Sequence, residues 1–120
     1  MTTISVHVGG HVTLLFSIHS DALLARRQGS RGAGFCLENG VVAVAGILSG
    51  KKDKITVTTM EDSELEKGDI LYLNLLEEFR EIFKVTDSIS LELFLELPVS
   101  QGFGMSAAGL LATSLALGEL

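Results

Sequence analysis

The chain is poor in several residue types. Among 120 residues it has one cysteine, one proline, one tyrosine and no tryptophan. A lone Cys36 closes no internal disulfide and builds no cysteine cage for a metal, so it reads as a small buried hydrophobe. Cations are scarce as well: 9 Lys and Arg stand against 15 Asp and Glu, giving a net charge of −6. A sequence-independent nucleic-acid binder needs many cations to displace counterions from phosphates. No aromatic residues interleave with basic ones here, so nucleic acid is excluded as a partner. No apolar run approaches the roughly 18 residues that span a bilayer. The start lacks the basic and apolar regions of a secretory signal. The expectation is a cytoplasmic protein with no membrane partner.

What is present is an ordinary globular balance, 47% hydrophobic and 20% charged. That fits one domain. A chain of this length buries on the order of 65% of its unfolded surface, which argues against disorder.

Along the chain, residues 4–8 alternate and residues 12–18 are mostly apolar, with Gly9-Gly10 between them. This predicts two short strands joined by a tight turn. Residues 21–27 fit one or two helical turns, and residues 28–34, with three glycines, predict a loop. Residues 35–37 and 41–48 are β-rich around Glu38-Asn39-Gly40, a hairpin signal. After a turn at 49–53, residues 54–60 alternate again, so the first half predicts a β-meander. Residues 61–69 are acidic and read as a solvated loop or short helix. Leu71, Leu75, Leu76, Phe79, Ile82 and Phe83 recur at helical spacing and predict a core-facing helix over 71–83. Residues 88–97 alternate as a strand, with Ile89, Leu91, Leu93, Leu95 and Leu97 on one face. Pro98 stops it. Residues 106–117 are small and apolar almost all round, which predicts a buried helix.

A strand, a glycine-rich turn and a helix in that order make a phosphate site. The first N–H groups of a helix lack internal acceptors, and the helix dipole adds positive charge at that end. Gly102 and Gly104 let the backbone approach an anion closely. Ser106 can cap the helix or offer its hydroxyl to a phosphate or to magnesium. Two familiar motifs are absent. No Lys follows Gly104 as in Gly-x-x-x-x-Gly-Lys-Ser/Thr, and the acidic residue of the dinucleotide fingerprint has no place after residue 104. Glycine at these positions also serves a structural turn, and Ser106 a plain helix cap.

The whole string is more specific than its glycines. Pro98-x-x-x-Gly102-Phe103-Gly104-Met105-Ser106-Ala107-Ala108 resembles the second motif of the GHMP kinases, Pro-x-x-x-Gly-Leu-Gly-Ser-Ser-Ala-Ala. Phe103 stands for Leu and Met105 for the first Ser. Gly10-His11-Val12-Thr13 with Phe16 resembles the Pro-Gly-His-Ile-Thr-Gly-Phe-Phe start of archaeal pantoate kinases, with Gly9 in place of Pro and Leu14 in place of Gly. Gly29-Ser30-Arg31-Gly32-Ala33-Gly34 resembles a loop of the same kinases.

The resemblance implies an α+β fold: the GHMP kinase N-terminal domain, similar to ribosomal protein S5 domain 2, with a mixed sheet and helices on one face. Residues 1–120 would form this ATP-binding domain, with no counterpart of the C-terminal GHMP domain or of the third motif. It implies ATP on Pro98, Ser100, Gln101, Gly102, Phe103, Gly104, Met105, Ser106, Ala107 and Ala108, with Ser106 towards a magnesium ion. It places His11, Ser30, Arg31 and Gly32 at the acceptor. The implied activity is phosphorylation of a small hydroxy acid, pantoate, on the route to coenzyme A. Arg31 suits a carboxylate because its planar fork binds one at two points. No residue is assigned as the catalytic base. His7, His11 and His19 come without an acidic ligand pattern, which argues against a metal cage. The alternative is a non-catalytic relative of the same fold. With the C-terminal domain absent, the apolar Ala107–Leu117 helix and the sheet edge would stand uncovered, which points to a homodimer or a second chain.

Overall fold

The computed structural model describes residues 2–50, 52–60 and 68–120. In chain order the elements are β1 (Thr3–His19), a short 3-10 turn (Ala25–Arg27), β2 (Gly29–Leu48), β3 (Lys54–Thr59), α1 (Ile70–Phe83), β4 (Ser88–Leu95) and α2 (Met105–Glu119). The sheet runs in the order β1-β2-β4-β3. β1 pairs antiparallel with β2 and β2 with β4, while β3 lies parallel to β4. The fold is the α+β arrangement expected, a mixed sheet with its helices on one face. On that face Val41, Ala43, Ala45, Leu91, Leu93 and Leu95 are buried against Met105, Ala108, Ala112, Ala116 and Leu117 of α2.

The meander expectation fails at β3. The helix between β3 and β4 carries the chain over the sheet, and a strand–helix–strand crossover returns parallel to where it left. The two predicted hairpin turns fail for one shared reason. Gly9-Gly10 is no turn, because β1 runs straight through it; nor does Glu38-Asn39-Gly40 turn, because β2 runs through that too. The register jumps from Gly9↔Gly40 to His11↔Cys36, so Leu37, Glu38 and Asn39 bulge opposite Gly10 alone. The glycines serve backbone contact across strands. A Cβ on Gly9 would lie 2.1 Å from the Leu37 carbonyl oxygen, and one on Gly40 1.9 Å from that of Val8. Residues 28–34, expected as a loop, mostly belong to β2: its first residues, from Gly29 on, pair with β1 from His19 back to Thr13.

Beyond the bulge the hairpin is a bare two-stranded ribbon, since β4 pairs only with residues 41–48. Cys36 lies on this ribbon and is exposed, against the expectation of burial. The turn at 49–53 and strand β3 fall where the alternation places them. The acidic stretch 61–67 lies outside the described residues.

Helix α1 covers the expected span, but its buried side chains are Tyr72 and Leu76, whereas Ile82 and Phe83 are exposed. Helix α2 is buried along one side only, because Leu111 and Leu115 remain half exposed. The helices touch closely at Gly109, where a Cβ would lie 2.1 Å from the Tyr72 hydroxyl. Burial pushes the pKa of that hydroxyl up. No helix among the described residues is long and apolar enough to cross a membrane.

Asp53 ties together the chain before β3, the end of α1 and the start of β4. Both of its carboxylate oxygens accept hydrogen bonds from the Arg80 guanidinium. The Ile89 N–H donates to Oδ1 at 2.9 Å, and Arg80 also donates to the Asp87 carbonyl at 2.8 Å. The Arg80 hydrogen bonds, with help from the Ile89 amide, hold the Asp53 carboxyl below the usual carboxylate range. Its folded pKa is depressed, so the stabilisation is complete at neutral pH and is lost as pH falls from about 5 through the folded value. Asp53→Asn is expected to cost about 1–2 kcal/mol at pH 7, and the gap from wild type should narrow steadily as pH falls below about 4. Urea unfolding across that range measures it, and a gap that does not change with pH would remove the pair from the account.

Candidate functional site

The site is built where β4 ends and α2 begins. Ser100 lies in the left-handed region at φ 58°, as do Gly102 at 82° and Gly104 at 67°. The two glycines adopt this conformation at no steric cost, whereas Ser100 is strained there. Gly104 occupies the N-cap of α2, and no side chain caps the helix. Ser106 therefore does not act as a cap, and its side chain is exposed. The first helical bond runs from the Ala108 N–H to the Gly104 carbonyl at 3.0 Å. The amides of Met105, Ser106 and Ala107 precede it and have no acceptor within the helix. The result is an open, partially positive helix end.

The loop is docked on the β1–β2 bulge. The His11 N–H donates to the Phe103 carbonyl at 2.9 Å. A Cβ on Gly10 would lie 2.7 Å from that same oxygen, 2.7 Å from the Met105 methyl and 3.3 Å from Leu97. Both ends of the loop thus rest on one glycine. Just before the loop, the Glu96 N–H donates to the Gly40 carbonyl at 2.8 Å, and the Gly40 N–H donates to Glu96 Oε1 at 2.8 Å. His7 Nε2 lies 2.7 Å from the same oxygen. These bonds, the Gly40 amide first and His7 second, hold the Glu96 carboxyl below its ordinary range.

Two clefts flank the loop. One, of about 410 Å³, is lined by Ser100 and Ser106 together with Val57, Leu71, Tyr72, Asn74, Leu95 and Val99. Its apolar wall and two hydroxyls suit a flat base and the phosphates beside it. The other, of about 460 Å³, is lined by His11, Thr13, Phe16, Ser30, Arg31 and Gly32 with its neighbours through Gly34. Its floor is strand β2, where Gly32 and Gly34 carry no side chain. A Cβ on Gly34 would lie 2.7 Å from the His11 ring, and one on Gly32 3.2 Å from the Phe16 Cβ. Gly104 touches His11, a Cβ there lying 3.6 Å from its backbone. His11 lines the second cleft and holds the loop by its backbone, so the loop lies next to that cleft.

His11, Ser30, Arg31 and Gly32, distant in sequence from the glycine loop, come together in one cleft beside it. Arg31 also borders a third cleft of about 390 Å³ at the hairpin tip, with His19, Asp21 and Arg27. Of the loop residues, Ser100 and Ser106 line the apolar cleft, while Pro98, Gln101 and Ala107 are exposed. Met105 and Ala108 are buried and anchor the helix. Among the described residues no group of three or more His, Cys, Asp or Glu side chains could hold a metal. Sequence reading missed Glu96, Gly10 and Gly40. The available signal was glycine inside apolar strand runs, which marks bulges and close backbone approach as well as turns.

The fold is shared with solved proteins named as a kinase and as a phosphotransferase. A mevalonate kinase from methicillin-resistant Staphylococcus aureus superposes with a TM-score of 0.66 at 18% identity, over 97% of this chain and 38% of its own. A solved phosphotransferase related to the CoA biosynthesis pathway gives a TM-score of 0.71 at 27% identity, over 98% of this chain and 40% of its own. Sequence and fold together support reading the chain as a GHMP kinase N-terminal fragment. In sequence it is similar to a pantoate kinase of Methanospirillum hungatei, 32% identical over 124 residues that take in all of this chain and 40% of the relative. It thus spans about 40% of the length of these relatives. No protein-family model matches it.

The docking of the loop is open to test at Gly10. Gly10→Ala is expected to push the Phe103 carbonyl away and to destabilise the chain by about 1–3 kcal/mol in urea unfolding. An unchanged stability would show that the contact yields freely.

Proposed function

We propose that the chain is the N-terminal, ATP-binding domain of a GHMP-type kinase that phosphorylates the hydroxyl of a small hydroxy acid, with pantoate, giving 4-phosphopantoate, as the acceptor. The observation that carries this reading is the glycine loop, which gives Ser100 and Ser106 to an apolar cleft and rests on His11, a residue of the polar cleft that also holds Arg31. Phosphoryl transfer consists mostly of positioning and charge neutralisation. The amides of Met105, Ser106 and Ala107 offer donors to phosphate oxygens, and the helix dipole adds to them. Ser106 would share a magnesium ion with the phosphates, and that ion would neutralise their charge. Arg31 offers its fork to the acceptor carboxylate. The choice of pantoate is supported by the similarity to a pantoate kinase and to a phosphotransferase of CoA biosynthesis.

Titration of the chain with ATP and magnesium tests the nucleotide site. Saturable binding is expected, weakened about tenfold by Ser106→Ala through loss of one charge-assisted bond. A folded chain that binds no nucleotide would overturn the reading. ADP release that rises with pantoate, and not with mevalonate or homoserine, would fix the acceptor.

The ribbon half of the hairpin supports a second reading, a chain that works as a subunit. Leu15 and Phe16 are each 65% exposed and Ile18 is 72% exposed, with Leu14 and Phe35 close behind. Phe16 and Ile18 share one face of the ribbon, and exposed apolar residues on one face mark an interaction surface. A homodimer or a complex with a second chain through the ribbon is then expected in sedimentation. A strict monomer at high concentration would exclude self-association.

A further inference from the structure

We propose that Glu96 is a positioning residue for the glycine loop: its carboxylate locks Gly40, and through Gly40 the bulge on which the loop is docked. The purpose of this lock rests on the reading of the loop as a phosphate cradle. Glu96 lines neither of the clefts beside the loop. It stands one residue past the β2–β4 ladder, which ends at Val41↔Leu95. There its N–H donates to the Gly40 carbonyl, and its Oε1 accepts the Gly40 N–H. One residue thus satisfies both polar groups of Gly40, which is buried. An unpaired buried amide is costly, so Gly40 stays where Glu96 holds it. His7 gives Oε1 a second donor and restrains the side chain further.

From Gly40 the contact runs by backbone alone. A Cβ on Gly40 would lie 2.6 Å from Gly9 Cα and 2.7 Å from Gly10 N. Gly10 in turn packs against the Phe103 carbonyl and Met105, and His11 donates to that carbonyl. Glu96 therefore fixes the entry to the loop and, across two strands, its exit. Loss of the carboxylate releases Gly40 and lets the pair His11–Phe103 part, while the sheet below keeps its ladder.

Amide hydrogen exchange in the full chain tests this, because the His11 amide reports the docking directly. In Glu96→Ala the His11 amide is expected to exchange about tenfold faster, while the amides of Ala43 and Leu93 in the core of the sheet keep their protection. Glu96→Gln keeps an acceptor for the Gly40 N–H and should restore protection at His11 to within about twofold. Should Glu96→Ala fail to fold, Glu96→Asp, one methylene shorter, is read in the same way. Unchanged exchange at His11 would overturn the proposal, as would equal acceleration at all three amides, which marks a merely structural residue. Titration with ATP and magnesium should show binding weakened in Glu96→Ala and retained in Glu96→Gln. Equal binding by both would overturn the link to the nucleotide. A wild-type chain that binds no nucleotide would overturn the phosphate-site reading, and exchange at His11 would still decide whether Glu96 holds the loop.

Discussion

Three glycines without side chains let two strands and a loop meet at one point. Gly9, Gly10 and Gly40 bring carbonyl oxygens to where Cβ atoms would otherwise stand, at about 2–3 Å. No rotamer change can relieve a clash with backbone, so any larger residue there would force the strands apart. The bulge, the single bond from His11 to Phe103 and the seating of Met105 all depend on that closeness. The start of α2 is thereby set against the middle of β1, and the position of the helix end follows from strand geometry.

The electrostatics follow from the same placement. With Gly104 as N-cap and no side chain over it, the first amides of α2 are left without a side-chain cap beside the apolar cleft that Ser106 lines. A polar side chain in the cap position would have satisfied one of those amides and weakened the site for an anion. Ser106, one residue inside the helix, presents its hydroxyl to the apolar cleft, and Gly104 presents bare backbone to His11. The loop is thus in contact with residues of both clefts.

The sequence made the periodic elements readable and left the glycine junction obscure. Helix α1 and strand β4 carry regular apolar spacing, and their spans agree with it to within two residues. The glycine loop was legible as a string, and His11 and Arg31 through their neighbours in the chain. The paired glycines in β1 and the Asn39-Gly40 step were not, because turn rules read dipeptides locally. Whether such a dipeptide turns or bulges is decided by a partner strand that may lie thirty residues away. The parallel β3–β4 pairing is non-local in the same sense. Glu96 looked like one more outward polar residue of an alternating strand. Its role works through the amide and carbonyl of Gly40, and backbone groups carry no letter in the sequence.

The ribbon beyond the bulge joins the question of stability to that of chemistry. Phe16 is 65% exposed, yet it lines the cleft that holds His11 and Arg31. That cleft has a floor of Gly32 and Gly34 and stands on the β1–β2 hairpin, beyond the stretch of β2 that pairs with β4. Phosphoryl transfer competes with water unless the acceptor site is closed. Phe16 belongs to the lining of this cleft, so a surface that removes Phe16 from water also covers part of the cleft and keeps water from it. The apolar residues of the ribbon then carry a free-energy cost while uncovered, and that cost drives the closure of the site.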